Sequence, residues 1–205
     1  MSLFPAFLKL QGRLVTVIGG GVIAESKLTG LLDSGARVRL ISPRVNAKID
    51  SLVRDARIEW WPKHYEEGDL HGAFLVIAAT SLRHVNAAVF QEAEARGTLC
   101  NAVDDVDHCH FYYGSIVQRG DLQIAISTNG KSPALAQRLR KELEVQFGPE
   151  YAAWLEWLGA ARDVLRSQEA ESEATKYQLH QLASRPMFEN FLKHAAALAR
   201  KGGTD

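Results

Sequence analysis

Gly19, Gly21 and Ala24 fill a G-x-G-x-x-A pattern. The first glycine of such a pattern permits a tight turn, and the second lets the backbone approach a pyrophosphate. A small third residue lets helix and strand pack closely. Backbone N–H groups at the start of the following helix then face the phosphates. The alternative is a tight strand-to-helix turn that binds nothing. Dinucleotide-binding chains usually continue with an Asp or Glu after the second strand, to hold the adenosine ribose. Here Ser42-Pro43-Arg44 occupies that place. An arginine without an acid leans towards a 2′-phosphate, whereas a ribose held by backbone groups needs neither. The residues alone leave NAD and NADP open.

A second cluster runs from Asn101 to His110 and holds Asp104, Asp105, Asp107, His108, Cys109 and His110. In an open parallel sheet, ligands bind beyond the carboxyl ends of the strands. A carboxylate there can act as a general base beside a nicotinamide, which makes Asp104 or Asp105 a candidate. Carboxylates, imidazoles and a thiol are also metal ligands, although the spacing fits no structural zinc site. A solvated acidic turn is the third reading.

These groups need elements to position them. Leu14–Ile18 is a short β-rich run, and the glycine cluster follows it. A helix then places Ile23, Leu28, Leu31 and Leu32 on one side, with Gly35 just beyond. Val38–Ile41 reads as a strand, Val45–Ala56 as a helix and Arg57–Trp61 as a strand. Ala73–Ala79 is apolar on both faces, as a buried parallel strand should be. Ser81 caps a helix to Arg96 that Gly97 ends, and Thr98–Val103 is a fifth strand. Strands alternating with helices imply a parallel sheet with right-handed crossovers.

The pattern changes near residue 110. Phe111–Gln118 and Asp121–Ser127 form a hairpin around Arg119-Gly120. Ser132-Pro133 starts a helix to about Phe147. From Glu150 the chain is helical to about Arg200, broken near Pro186, and residues 201–205 fray. Trp154 and Trp157 share one helix face.

Composition bounds the function. The 205 residues are 46% hydrophobic and 23% charged, and 24 basic side chains balance 24 acidic ones. Zero net charge argues against a nucleic-acid binder and a polybasic membrane-surface protein. Two cysteines make no disulfide framework. No apolar run approaches the ~20 residues of a membrane span. The first residues lack the features of a signal peptide. A cytoplasmic protein is expected.

Beyond these physical signals, the chain resembles the precorrin-2 dehydrogenase family, also called the siroheme synthase N-terminal family. Gly19-Gly20-Gly21-Val22-Ile23-Ala24-Glu25-Ser26-Lys27 looks like that family's G-G-G-x-V-A-x-x-K, and Ala78-Ala79-Thr80 and Val85-Asn86 are similar to its A-A-T and V-N signatures. Cys100-Asn101-Ala102-Val103-Asp104 looks like its C-N-x-V-D. The block from Arg119 to Ala136 resembles R-G-D-L-x-I-A-I-S-T-x-G-x-S-P-A-L-A almost residue for residue. The resemblance is clear over about residues 1–147. There are departures: Asp105-Val106, His110 and Tyr112-Tyr113-Gly114 differ from the family's usual residues beside the substrate region.

The resemblance implies an α/β fold: a Rossmann-like, parallel-sheet NAD-binding domain (1–112), a small α+β dimerisation region (113–148) and a helical C-terminal domain (149–205). It implies NAD-dependent oxidation of precorrin-2 to sirohydrochlorin by a homodimer, with Asp104 as the catalytic residue. Some members also insert Fe2+, which is then a substrate. The fusion members carry a methyltransferase domain, for which 205 residues leave no room. Gly19, Gly21, Val22 and Ile23 would hold the pyrophosphate. Pro43 and Arg44 would border the adenosine, and Ala79 and Thr80 the nicotinamide. Asn101, Ser127, Thr128, Lys131 and Ser132 would meet the substrate, whose many carboxylates call for cationic or N–H donors. Arg119, Arg138, Arg140 and Lys141 offer further positive charge, or form a solvated helix face. Other classes compatible with the motifs are a nucleotide-sensing regulatory domain without catalysis, a different NAD-dependent oxidoreductase and a chelatase-only protein.

Overall fold

The computed structural model describes residues 3–168 and 172–201. The chain divides into two compact units, Leu3–Tyr112 and a second that begins at Tyr113.

In the first unit, β1 (Leu14–Ile18), β2 (Arg37–Ile41), β3 (Glu59–Trp61), β4 (Leu75–Ala78) and β5 (Leu99–Ala102) form one sheet in the order β3-β2-β1-β4-β5. All four pairings are parallel. The connecting helices are α1 (Val22–Asp33), α2 (Ala47–Arg54) and α3 (Arg83–Arg96). Alternation along the strands splits the core into two layers. Val15, Val17, Leu40, Leu75 and Ile77 pack with Ala24, Leu28 and Leu31 of α1 and Ile49 of α2. Ile18, Ile41, Val76, Ala78, Cys100 and Ala102 pack with Val89 and Ala93 of α3. Helices thus cover both faces, and every residue of β4 is buried. Strand order reverses between β1 and β4, so a crevice opens beyond their carboxyl ends.

Two local expectations change in this unit. The buried stripe of α1 is Ala24, Leu28 and Leu31, spaced i, i+4, i+7, which leaves Ile23 43% exposed rather than in the core. The N-cap of α3 is Leu82, not Ser81. The Thr80 hydroxyl serves that end instead, accepting the Leu82 N–H at 3.1 Å.

The second unit starts with a hairpin, β6 (Ser115–Arg119) and β7 (Leu122–Ile126), paired antiparallel from Ser115↔Ile126 to Arg119↔Leu122. The two-residue turn is therefore Gly120-Asp121, one position later than expected, with Gly120 at φ +57°. Helix α4 (Pro133–Gln146) begins as the sequence indicates, with the Ser132 hydroxyl accepting the Leu135 N–H at 3.2 Å. Arg119 closes its far end: the guanidinium donates to the Phe147 carbonyl at 2.8 Å and the Glu144 carbonyl at 3.1 Å. These are carbonyls that a helix end leaves without partners.

Three helices follow, α5 (Glu150–Gln168), α6 (Glu173–Leu182) and α7 (Arg185–Lys201). Ser172, in extended geometry at the N-cap of α6, adds a break to the helical run. Pro186 lies in the first turn of α7, where its missing N–H costs no hydrogen bond. Trp154 and Trp157 do share a face: Trp154 lies 4.7 Å from Phe188 and Trp157 6.2 Å from Phe191, ring centroid to centroid. Lys201 ends α7, and residues 202–205, expected to fray, lie outside the described residues.

Candidate functional site

The loops after β1, β2 and β4 enclose a cavity of roughly 750 Å3 at the reversal of strand order. Its lining includes Gly19, Gly21, Val22, Ile23, Pro43, Arg44, Ala79 and Thr80. These eight residues come from three separate segments, each following a strand, and the parallel register brings them together. Among the described residues, no carboxylate lines the cavity.

The three glycines do different work. Gly19 has φ +120°, and a Cβ there would lie 2.6 Å from the Ala79 carbonyl oxygen. A Cβ on Gly20 would lie 2.1 Å from the Arg44 carbonyl oxygen. Gly21 has ordinary extended geometry, and a Cβ there would meet nothing within 4 Å. Gly19 and Gly20 are therefore required by the protein itself. Gly21 faces open space at the N-terminus of α1, where it provides no side-chain cap. The N–H groups of Val22 and Ile23 have no carbonyl one turn earlier in α1 to bond to.

Neighbouring loops brace this turn. The Asn46 N–H donates to the Gly20 carbonyl at 3.0 Å, and its side-chain amide donates to Glu25 at 2.7 Å. Asn46 Oδ1 caps α2 by accepting the Ile49 N–H at 3.0 Å. Hydrogen bonds from Lys48 and Asn46 hold the Glu25 carboxyl below the usual range. The Ser42 hydroxyl is spent on the Arg44 carbonyl at 2.7 Å. Across the crevice, Asn86 is buried; its amide donates to the Thr80 carbonyl at 3.0 Å and its Oδ1 accepts the Thr80 hydroxyl at 2.7 Å. His64 and Tyr65, beyond β3, complete the lining. No local motif marks these two residues. Asn46 carries a visible helix-cap signal, which tells nothing of its grip on Gly20.

Asp104 lies in the turn after β5, exposed, with φ +60°. Aspartate is among the few residues that tolerate this left-handed region. Its neighbour Asp105 is engaged, 2.8 Å from His108 Nδ1. That separates the two carboxylates that spacing could not distinguish. Lys27 of α1 lies within electrostatic reach of Asp104: burial lowers the ammonium pKa, and the Asp104 charge opposes the shift. Asn101, expected to meet the substrate, is buried and its amide donates to the Phe111 carbonyl at 2.8 Å instead. The imidazoles of the segment go to carboxylates, His108 to Asp105 and His110 to Glu94. Among the described residues, no three His, Cys, Asp or Glu side chains gather as a metal site.

In the second unit, Ser127, Thr128, Lys131 and Ser132 share the loop between β7 and α4. Thr128 Oγ1 accepts the Ser132 N–H at 3.2 Å, and Ser127 Oγ accepts the Asn129 N–H at 3.2 Å. Lys131 is exposed at the start of α4, the end that favours anions. Arg138 pairs with Glu142 and Arg140 with Glu144, as on a solvated helix face.

Burial pushes the Cys100 thiol up to about 12 and also raises Cys109. Thiolate is the reactive form, so iodoacetamide at pH 8 should label Cys100 at least ~100-fold more slowly in the folded chain than in denaturant. Peptide mass spectrometry over time would read this.

A family model described as "Putative NAD(P)-binding" matches residues 6–115, more than half of the chain. The chain belongs to this NAD(P)-binding family. A second model, the sirohaem biosynthesis protein central region, matches residues 119–146. The siroheme synthase of Neisseria meningitidis serogroup C (strain 053442) is 38% identical over 168 residues, covering 82% of this chain and 35% of that protein. The siroheme synthase of Photorhabdus laumondii is 41% identical over 144 residues, covering 70% of this chain and 31% of that protein. This family member therefore spans about a third of the length of these relatives. Among solved structures it is similar to SirC, a precorrin-2 dehydrogenase, with TM-score 0.76 and 27% identity over 94% of this chain and 98% of that one. No helix among the described residues is long and apolar enough to cross a membrane.

Proposed function

We propose that this protein oxidises precorrin-2 to sirohydrochlorin with NAD, in the synthesis of siroheme and related modified tetrapyrroles. The likeness to SirC over nearly the whole of both chains carries this reading. The cavity fits the cofactor in three respects. It has room for a dinucleotide, an open approach at Gly21 and an uncapped helix N-terminus.

NAD, when bound, accepts a hydride from the substrate. The protein does the rest. Gly21, Val22 and Ile23 hold the pyrophosphate through backbone N–H groups, with Gly19 shaping the turn. Pro43 and Arg44 border the adenosine, and Ala79 and Thr80 keep the nicotinamide end in place. Asp104 takes the proton lost as conjugation extends, or orients the macrocycle through its pyrrole N–H groups. Ser127, Thr128, Lys131 and Ser132 meet substrate carboxylates, while Asn101 braces the loop that carries Asp104. The protein acts as a cytoplasmic homodimer, with residues 113–148 as the dimerisation region. Where the same protein metallates sirohydrochlorin, Fe2+ is a substrate and Asp104 accepts the pyrrole protons.

The test is an anaerobic assay with enzymatically made precorrin-2 and NAD or NADP, followed by sirohydrochlorin with Fe2+, Co2+ or Ni2+. NADH formation coupled to sirohydrochlorin is expected. No reduction of either nucleotide defeats the reading. Metallation without any nucleotide would instead identify a chelatase.

A further inference from the structure

β5 is an edge strand, so backbone groups on its outer side face no sixth strand among the described residues. Residues 109–111 fold back along this edge. Asn101 and Cys109 form an isolated antiparallel bridge. The His110 N–H donates to the Cys100 carbonyl at 2.8 Å, and the Cys100 N–H donates to His110 Nδ1 at 2.9 Å. An imidazole nitrogen thus stands where a neighbouring strand would present a carbonyl.

This contact decides the tautomer. An amide N–H can only donate, so Nδ1 keeps its lone pair and the ring proton sits on Nε2, which faces Glu94 of α3. The ring also stacks on Phe90 of α3, with centroids 4.8 Å apart. His110 therefore ties the returning segment to β5 and α3 at once. The loop it closes leaves β5 at Ala102, turns through Asp104 in its left-handed conformation, and passes a 3-10 turn at Val106–His108.

We propose that His110 is a positioning residue for Asp104: its neutral imidazole closes the loop that presents the carboxylate. The proposal rests on the reading of Asp104 as the catalytic group. His110 touches neither cofactor nor substrate and acts only through the loop.

Two variants test it beside the wild type and Asp104→Asn. His110→Ala removes the acceptor, while His110→Asn can place Oδ1 where Nδ1 sits. In His110→Ala, the Cys100 amide should exchange with solvent at least ~10-fold faster. Its kcat for NADH formation should fall about 10- to 100-fold, with NAD affinity changed less than about twofold. His110→Asn should restore both exchange and kcat to within about threefold of wild type, a rescue that simple loss of packing does not predict. Unchanged exchange in His110→Ala, or no rescue by Asn, overturns the proposal. So does unchanged kcat in His110→Ala when Asp104→Asn is dead, a result that leaves the reading of Asp104 standing. Full activity in Asp104→Asn overturns that reading and the positioning role with it. Exchange then shows separately whether the clasp exists.

Discussion

Asp104→Asn should abolish NADH formation from precorrin-2, lowering kcat by at least ~100-fold, while NAD still binds. Asparagine tolerates the left-handed backbone that Asp104 adopts at φ +60° as well as aspartate does, so the turn keeps its shape. Only the proton-accepting charge is lost. Asp104→Gly sharpens the comparison, because glycine relaxes the backbone and removes the carboxylate together. It should be at least as stable as wild type and equally inactive. Stopped anaerobic turnover, calorimetric NAD binding and urea unfolding separate these effects. Normal turnover by Asp104→Asn would sink the assignment.

The glycine turn makes the second large prediction, because adjacent substitutions should fail in different ways. Gly20→Ala drives a Cβ to 2.1 Å from the Arg44 carbonyl oxygen, a clash that only backbone movement relieves. It should cost about 3 kcal/mol of stability and distort the cavity. Gly21→Ala meets nothing within 4 Å among the described residues. Its stability should fall by no more than about 1 kcal/mol, the scale of an N-cap change from glycine to alanine. Yet its methyl group occupies the approach to the N–H groups of Val22 and Ile23, so NAD affinity should drop at least ~10-fold. Urea melts and calorimetric titration of both variants check this. If Gly21→Ala binds NAD as tightly as wild type, the pyrophosphate lies elsewhere.

Local signals carried much of the fold. Short β-rich runs, glycines at helix ends and the Ser132-Pro133 start are effects of a few neighbouring residues, and the elements they announce are present within a few positions. Misplaced details were those that depend on partners. The hairpin turn moved to Gly120-Asp121 because strand pairing sets register. The α3 cap moved to Leu82 because Thr80 is held by Asn86 from one turn further on. Ile23 left the core because the helical stripe runs one residue later, through Ala24.

Charge was legible only as a sum. The basic stretch from Arg119 to Lys141 lies in a chain of zero net charge, but composition could not say which cations are engaged. Arg119 caps α4, and Arg138 and Arg140 meet glutamates four residues on. Lys131 remains at the start of α4, where a cation and a helix N-terminus both favour an anion.

The sequence by itself determined the alternating α/β plan, the glycine turn and the acidic segment beyond the fifth strand, because each is written in contiguous residues. Only the tertiary structure decided which glycine the protein needs and which it leaves open to a ligand. It also separated Asp104 from Asp105 and gave His110 its place against β5. The glycine and His110 distinctions are contacts between different elements, whereas Asp105 meets His108 three residues on in the turn after β5. Their outcome depends on distances that pairing and packing set, which no local pattern encodes.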